Sequence, residues 1–433
     1  MIFLPFIYFF LFSCYLWLRH RTFDVSVYMS SLYTVTSFCA LILVLENKLE
    51  GSGILFDGWE PELGIVPTIL YCFLLTVTIL PFSIIRTEKL KHITNNHPLV
   101  LMGFIAVLFI VALINLYIVA GSTQDVLSGD LNAIRHSHYN GELSLADIKL
   151  ATLPAPARYL YVLLNYSTIL ALPLFFYYTC IEKRSLWITG LLLFISLSLP
   201  IKAIIEADRT ELIIYGQMFL FCIIFFRNIL TTSLKKLLLW GGIPVVGIAL
   251  LYLTAVSTAR FEDRDEGAAG TTLQYAGQSY LNFCYFYDNA NPNLVYPQRE
   301  FPILSFLLFK SEYANTKDER TAKEGFFIGV FATHVGAWLL DIGLAGCIVY
   351  TIFFAFVCSL LIKYYNRTEF EVTEVLLIFI TATIPIFGIF YSRFYSYAIA
   401  LQYLFAGILY FLSRYHFVWG GDQQTDNTTV NEK

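Results

Sequence analysis

"LWITGLLLFISLSLPIKAIIEADRTELIIYGQMFLFCIIFFR" (residues 186–227) sets two apolar runs back to back across a short charged hinge. Each run approaches the roughly 20 residues that a helix needs to cross a hydrocarbon core of about 30 Å. Between them stand Glu206, Asp208, Arg209 and Glu211. Charges are costly inside lipid and tolerable where water reaches them. The stretch therefore reads as two membrane helices joined at a membrane surface, in a chain whose charged residues amount to only 14%. Four charges at one hinge call for a reason.

The rest of the chain agrees with that reading. Its 433 residues are 57% hydrophobic and 17% aromatic, with a mean hydropathy of +0.65, outside the range of soluble globular domains. Apolar runs recur near 1–18, 24–46, 64–86, 98–120, 157–181, 186–205, 211–227, 237–258, 333–362, 373–391 and 395–414, which predicts about 11 transmembrane helices in one integral membrane domain covering 1–433. No run alternates as a barrel strand would, so the fold class is all-α, with backbone polar groups satisfied inside helices. Residues 1–18 lack a basic leader and run directly into Arg19 and Arg21, and are expected to stay as a first helix. Seven of the eight cysteines fall in apolar runs and none forms a CxxC pair, so neither a disulfide framework nor a zinc set is expected. A net charge of −4 gives no footprint for nucleic acid.

Bases gather after every odd-numbered run: Arg19 and Arg21, Arg86 with Lys89 and Lys91, Lys183 and Arg184, Arg227 with Lys235 and Lys236, Lys363 and Arg367, and Arg414. The positive-inside rule puts these loops in the cytoplasm. The N-terminus is then outside, the polar tail 415–433 is cytoplasmic, and two long loops, 121–156 and 259–332, are exoplasmic. The second, between helices 8 and 9, holds seven Lys or Arg against ten Asp or Glu and is no polybasic lipid patch.

Bases in short exoplasmic loops run against that rule, and Arg209 and Arg393 are both such bases. Arg260 and Arg264 open the large loop, and Lys202 lies about two turns before Arg209. If the helix ends meet, guanidinium groups line one cavity, where a planar fork binds phosphate oxygens bidentately. Solvated ion pairs worth under about 1 kcal/mol are the plain alternative. His334 and Asp341 lie seven positions apart, about two turns along one helix face. At a helix mouth His334 could accept a proton or donate to a phosphate oxygen, while a structural hydrogen bond explains Asp341 equally well. His136 and His138, in "RHSHY", alone make no metal site, and P-loop, dinucleotide and Gly-x-Ser-x-Gly patterns are missing, so no cofactor, metal or cytoplasmic nucleotide is expected. In "LQYAGQSYLNFCYFYDN" (273–289), Tyr275 and Tyr280 offer faces to pyranose rings, and Gln278 and Asn282 offer hydrogen bonds to hydroxyls.

The order of "DRTELI", "TARFEDRDEG" followed by "YAGQSYLNF", and "GVFATHVGAWLLDIGLAG" resembles the O-antigen polymerase family (Wzy-like, oligosaccharide repeat unit polymerases) of bacterial envelopes. The likeness covers the whole chain in topology and those patches in residues, and "LLDIG" departs from the family's aromatic-flanked aspartate at Asp341. It implies an inner-membrane glycosyltransferase that moves a growing glycan from undecaprenyl diphosphate to an incoming repeat unit at the exoplasmic face. A flippase and a chain-length regulator of the same pathway would be its partners. On that reading Arg209, Arg260 and Arg393 bind the diphosphate, Arg209 leading, and His334 or Asp208 is the base. Tyr275, Gln278, Tyr280 and Asn282 would meet the glycan. A glycan ligase would need nearly the same site. A transporter would instead spread charges through the bilayer depth, with Lys202, Glu206 and Asp341 as relay residues.

Overall fold

The computed structural model describes residues 1–46, 48–49, 54–56, 63–120, 145–180, 185–205, 209–238, 240, 267–291, 305–307, 310, 321–322, 324–362, 368–393 and 397–414. Asp208, Arg260, Arg264, His136, His138, most of the run at 237–258 and the tail 415–433 lie outside them. The described chain is a helical bundle in which eight helices, counting bent or composite ones, are long and apolar enough to cross a membrane. They match the first seven expected runs and the one at 333–362.

Helices α1 (Phe3–His20) and α2 (Val25–Leu45) form a hairpin with locally encoded ends. Arg21 adopts a left-handed conformation (φ 53°) and returns its N–H to the Trp17 carbonyl at 2.6 Å, closing α1. Asp24 caps α2 by accepting from the N–H groups of Ser26 and Val27 at 3.0 and 3.1 Å, and it pairs with the buried His20. Helix α3 (Ile65–Ile79) tightens into a 3-10 segment, Leu80–Ile84, at Pro81.

Strand β1 (His92–Thr94) precedes α4 (Pro98–Ala120). Two shorter helices, α5 (Leu145–Thr152) and α6 (Ala155–Leu164), follow. The expected single run at 157–181 is a composite: α6, a 3-10 stretch at Asn165–Leu170, then α7 (Ala171–Cys180). Pro173 has no N–H to offer the turn before it. The Asn165 side chain instead accepts from the Tyr166 N–H at 2.7 Å. Helices α8 (Leu186–Ile205) and α9 (Arg209–Phe226) are the two arms of the opening stretch.

Residues 267–289, expected within the large exoplasmic loop, form a 23-residue helix, α10 (Gly267–Asn289), packed on α2. Gly277 is the contact point: a Cβ there would lie 2.6 Å from Leu43 Cδ1 and 2.7 Å from the Ala40 nitrogen. Only a missing side chain lets the two backbones approach so closely. Helix α11 (Thr333–Ile362) bends at Gly343, whose φ of 70° suits glycine. Strand β2 (Glu369–Glu371) pairs in parallel with β1, His92 opposite Glu369 and Thr94 opposite Glu371, a small strand pair that the helical pattern does not anticipate.

Helix α12 (Val372–Phe387) starts with a reciprocal Glu371/Glu374 capping box and is buried at every position except Thr381. An apolar helix with no polar face belongs in the interior. It stops four residues before the expected end at 391: the Gly388 N–H closes the helix on the Ile384 carbonyl at 2.8 Å, and the residues from there to 391 turn to another partner. Helix α13 (Tyr397–Arg414) ends the described chain.

The hairpin turn of α1 and α2, the β1–β2 pair and the C-terminal end of α9 share one end of the bundle. Thr22 donates to Glu88 at 3.1 Å and Asn228 to the Thr87 carbonyl at 2.5 Å. The N-terminus of α9 lies at the opposite end.

Candidate functional site

At that opposite end α9 begins with Arg209, half-buried, and carries Glu211 in its first turn. The Arg209 guanidinium lies 5.8 Å from the centroid of the Tyr275 ring of α10. Tyr275 packs 5.4 Å from Phe331, and Phe331 stacks on Tyr391 at 5.4 Å with only 14° between the ring planes. Two residues beyond Tyr391, Arg393 forms an ion pair with Glu211. The circuit closes on the helix where it began.

A second arm extends from Arg393. Its guanidinium lies 5.4 Å from the Phe387 ring and 5.7 Å from Tyr166, in the 3-10 stretch after α6. Tyr166 also lies 5.9 Å from the Lys202 ammonium, which sits 5.2 Å from the Tyr161 ring and donates to its hydroxyl at 2.7 Å. Lys202 of α8, Arg209 of α9 and Arg393 of the turn after α12 thus stand in one region lined by aromatic faces. Such faces attract cations and hold them in place. All three cations are partly buried, Arg393 with most of its side chain covered.

The turn that bears Arg393 is fastened to the entry of α11. Thr333 donates its N–H to the Phe390 carbonyl and His334 its N–H to the Gly388 carbonyl, both at 2.9 Å, and Thr333 pairs with Tyr391 as an isolated parallel bridge. Thr333 pays for this position with φ 66°, uncommon for a β-branched residue. Gly388 must be small, since a Cβ would stand 2.2 Å from both His334 Nδ1 and the Ile384 carbonyl.

The His334 side chain points inward and is fully buried, edge-on to Trp338 with ring centroids 4.8 Å apart. Its Nδ1 lies 3.3 Å from the Gly388 carbonyl and 3.4 Å from the Tyr33 hydroxyl. Tyr33 itself donates at 2.7 Å to the Pro385 carbonyl, in the last turn of α12, where no intrahelical donor follows. When Nδ1–H goes to Gly388, Nε2 carries the lone pair, and Nε2 has no protein partner among the described residues.

Of the residues singled out from sequence, Arg209, Arg393 and Tyr275 come together here and His334 lies just beneath. Asp208 and Arg260 lie outside the described residues. Gln278, Tyr280 and Asn282, expected to face sugar hydroxyls, are turned inward. Tyr280 shares a hydrogen bond with Thr68 at 2.7 Å. Asn282 donates to the Phe331 carbonyl at 2.9 Å and accepts from the Leu55 N–H at 3.0 Å, with Gln278 beside it at 3.4 Å. Tyr280 and Asn282 bind α10 to its neighbours, and Asn282 holds the Phe331 backbone in the circuit. Asp341 is fully buried within α11.

Sequence reading missed Glu211 as the partner of Arg393 and missed Tyr166 and Tyr33 altogether. Partners 182 residues apart leave no local pattern. Among the described residues no three His, Cys, Asp or Glu side chains are grouped to hold a metal ion. The chain matches no family model, and neither the curated proteins nor the solved structures contain a significant match to it.

Proposed function

We propose that the chain polymerises lipid-linked oligosaccharide repeat units, of O-antigen or a similar surface polysaccharide, by transferring the growing glycan from undecaprenyl diphosphate to an incoming unit. One observation carries this reading: Lys202, Arg209 and Arg393 gather at one mouth of an apolar helical bundle, where a lipid headgroup can reach them without leaving the bilayer surface. The acceptor hydroxyl oxygen bonds to the donor's anomeric carbon as the bond from that carbon to the diphosphate oxygen breaks. The electron pair leaves with the diphosphate, and fixed guanidinium groups stabilise the charge that grows there. The hydroxyl proton goes to a base, with His334 Nε2 and Asp208 the candidates. Full burial of His334 means that it serves only in a bound state that opens its contacts with Trp338 or the 388–393 turn.

Neither ATP nor a nucleotide sugar nor a metal enters this scheme, because the lipid diphosphate is itself the leaving group. The protein would sit in the bacterial inner membrane with the Arg209 mouth exoplasmic, the N-terminus periplasmic and the C-terminus cytoplasmic. A flippase would deliver its substrate, and a chain-length regulator would be a further partner.

The test is the surface-polysaccharide ladder from cells lacking their own copy, complemented with wild type, Arg209→Ala or Arg209→Lys at equal membrane abundance. Deletion should leave single repeat units on the final acceptor, and Arg209→Ala should fail to restore the ladder. Bare acceptor would point to a ligase instead. An unchanged ladder in the deletion strain, with no second polymerase present, would sink the proposal.

A further inference from the structure

We infer that Glu211 is a resident stand-in for the donor's diphosphate: before donor binds, its Oε1 holds the Nη2 corner of Arg393, and the diphosphate binds by displacing it. The inference rests on the diphosphate-binding reading of this mouth. A carboxylate oxygen and a phosphate oxygen are alike as charged acceptors for a guanidinium N–H, so this corner of Arg393 accepts either but not both. The Arg393 and Glu211 side chains are only 11% and 10% exposed, so neither is idly solvated.

Two features make the pair suited to exchange rather than to permanent closure. The Arg393 guanidinium is steadied by the faces of Phe387 and Tyr166 at 5.4 and 5.7 Å, contacts that do not depend on which anion lies at its edge. Glu211 lies in the first turn of α9, where the helix dipole favours a negative charge, so the carboxylate keeps a stabilising environment after release. A diphosphate brings more charge than a single carboxylate. It therefore wins the exchange at a cost in apparent affinity, because the competent state is only part of the unliganded population.

Binding of inorganic pyrophosphate and of undecaprenyl diphosphate to the full chain in lipid nanodiscs, by calorimetry at fixed salt, tests this. Glu211→Gln removes the competing charge and should tighten pyrophosphate binding by about tenfold, within the usual range of coupling between competing ligands. Arg393→Gln should weaken binding, and the double variant should bind like Arg393→Gln, with no gain left from Glu211. Glu211→Asp, with a shorter reach and the charge kept, should tighten binding to a smaller degree and decides the matter should Glu211→Gln fail to fold. Equal or weaker binding by the Glu211 variants would show a structural clasp and overturn the inference, while the diphosphate reading stands if wild type binds. No binding of either ligand by wild type would overturn the site reading itself. Binding of the lipid form alone would identify the headgroup as the ligand and transfer the same comparison to it.

Discussion

Arg393 has its Nη2 against Glu211 and its guanidinium over the rings of Phe387 and Tyr166, and this arrangement fixes what its loss should do. A buried ion pair contributes little net stability, because desolvation offsets the attraction, yet removing one partner strands the other charge. Arg393→Ala should therefore destabilise the protein by about 3–5 kcal/mol. Adding Glu211→Gln should restore most of that loss, since no buried charge then lacks its counterion. Thermal unfolding of the single and double variants in one detergent measures this. A double variant no more stable than Arg393→Ala would mean that the stacking on Phe387 and Tyr166, not the ion pair, holds the 388–393 turn to α9.

Among the elements, α10 is the one whose nature the sequence concealed. Its Gln274, Gln278 and Asn282 recur every four residues, the spacing of one helix face, and all three are buried. Interleaved with tyrosines in a polar region, they read instead as hydroxyl-binding groups on a loop. The arms of 186–227 were legible because each apolar run meets a sharp charge boundary. The end of α12 was not, since Pro385 and Gly388 lie within an apolar run and the competing partner, Thr333, is far earlier in the chain. The arginines of the site were legible as misplaced charges at helix ends, whereas the aromatic circuit joining them depends on contacts between distant segments. Gly277 now offers a clean test of how α10 docks. Gly277→Ala pushes a methyl against Leu43 and the Ala40 backbone and should cost about 1–3 kcal/mol by overpacking. Gly216→Ala in α9, whose added Cβ meets nothing within 4 Å, should be neutral or stabilising by up to about 1 kcal/mol. Unfolding midpoints that move together would show that α10 is not held by that close approach.

For the whole molecule, the two ends of the bundle differ in their loops, and this predicts an orientation in a bilayer. The end that carries the β1–β2 pair gathers Arg19, Arg21, Arg86, Lys89, Lys91 and Arg227 around the hairpin turn and the foot of α9. The two short turns at the other end, after α8 and after α12, have Lys202, Arg209 and Arg393 in or beside them, the last tied to Glu211. Orientation follows the distribution of Lys and Arg in short loops near helix ends, and carboxylates count for little. The strand end should therefore face the cytoplasm and the Arg209 mouth the exoplasm, which is also where a lipid-linked donor would wait after being flipped. Single cysteines in a cysteine-free background read this directly, using the exposed positions Asn289, at the C-terminal end of α10 one turn past Tyr285, which meets Phe56 of the α2–α3 connection, and Lys91, beside β1. Asn289→Cys should react with an impermeant maleimide in intact spheroplasts, and Lys91→Cys only after the membrane is opened. The reverse pattern would place Arg209 and Arg393 on the cytoplasmic side, and a reaction confined to the exoplasmic face could not then use them.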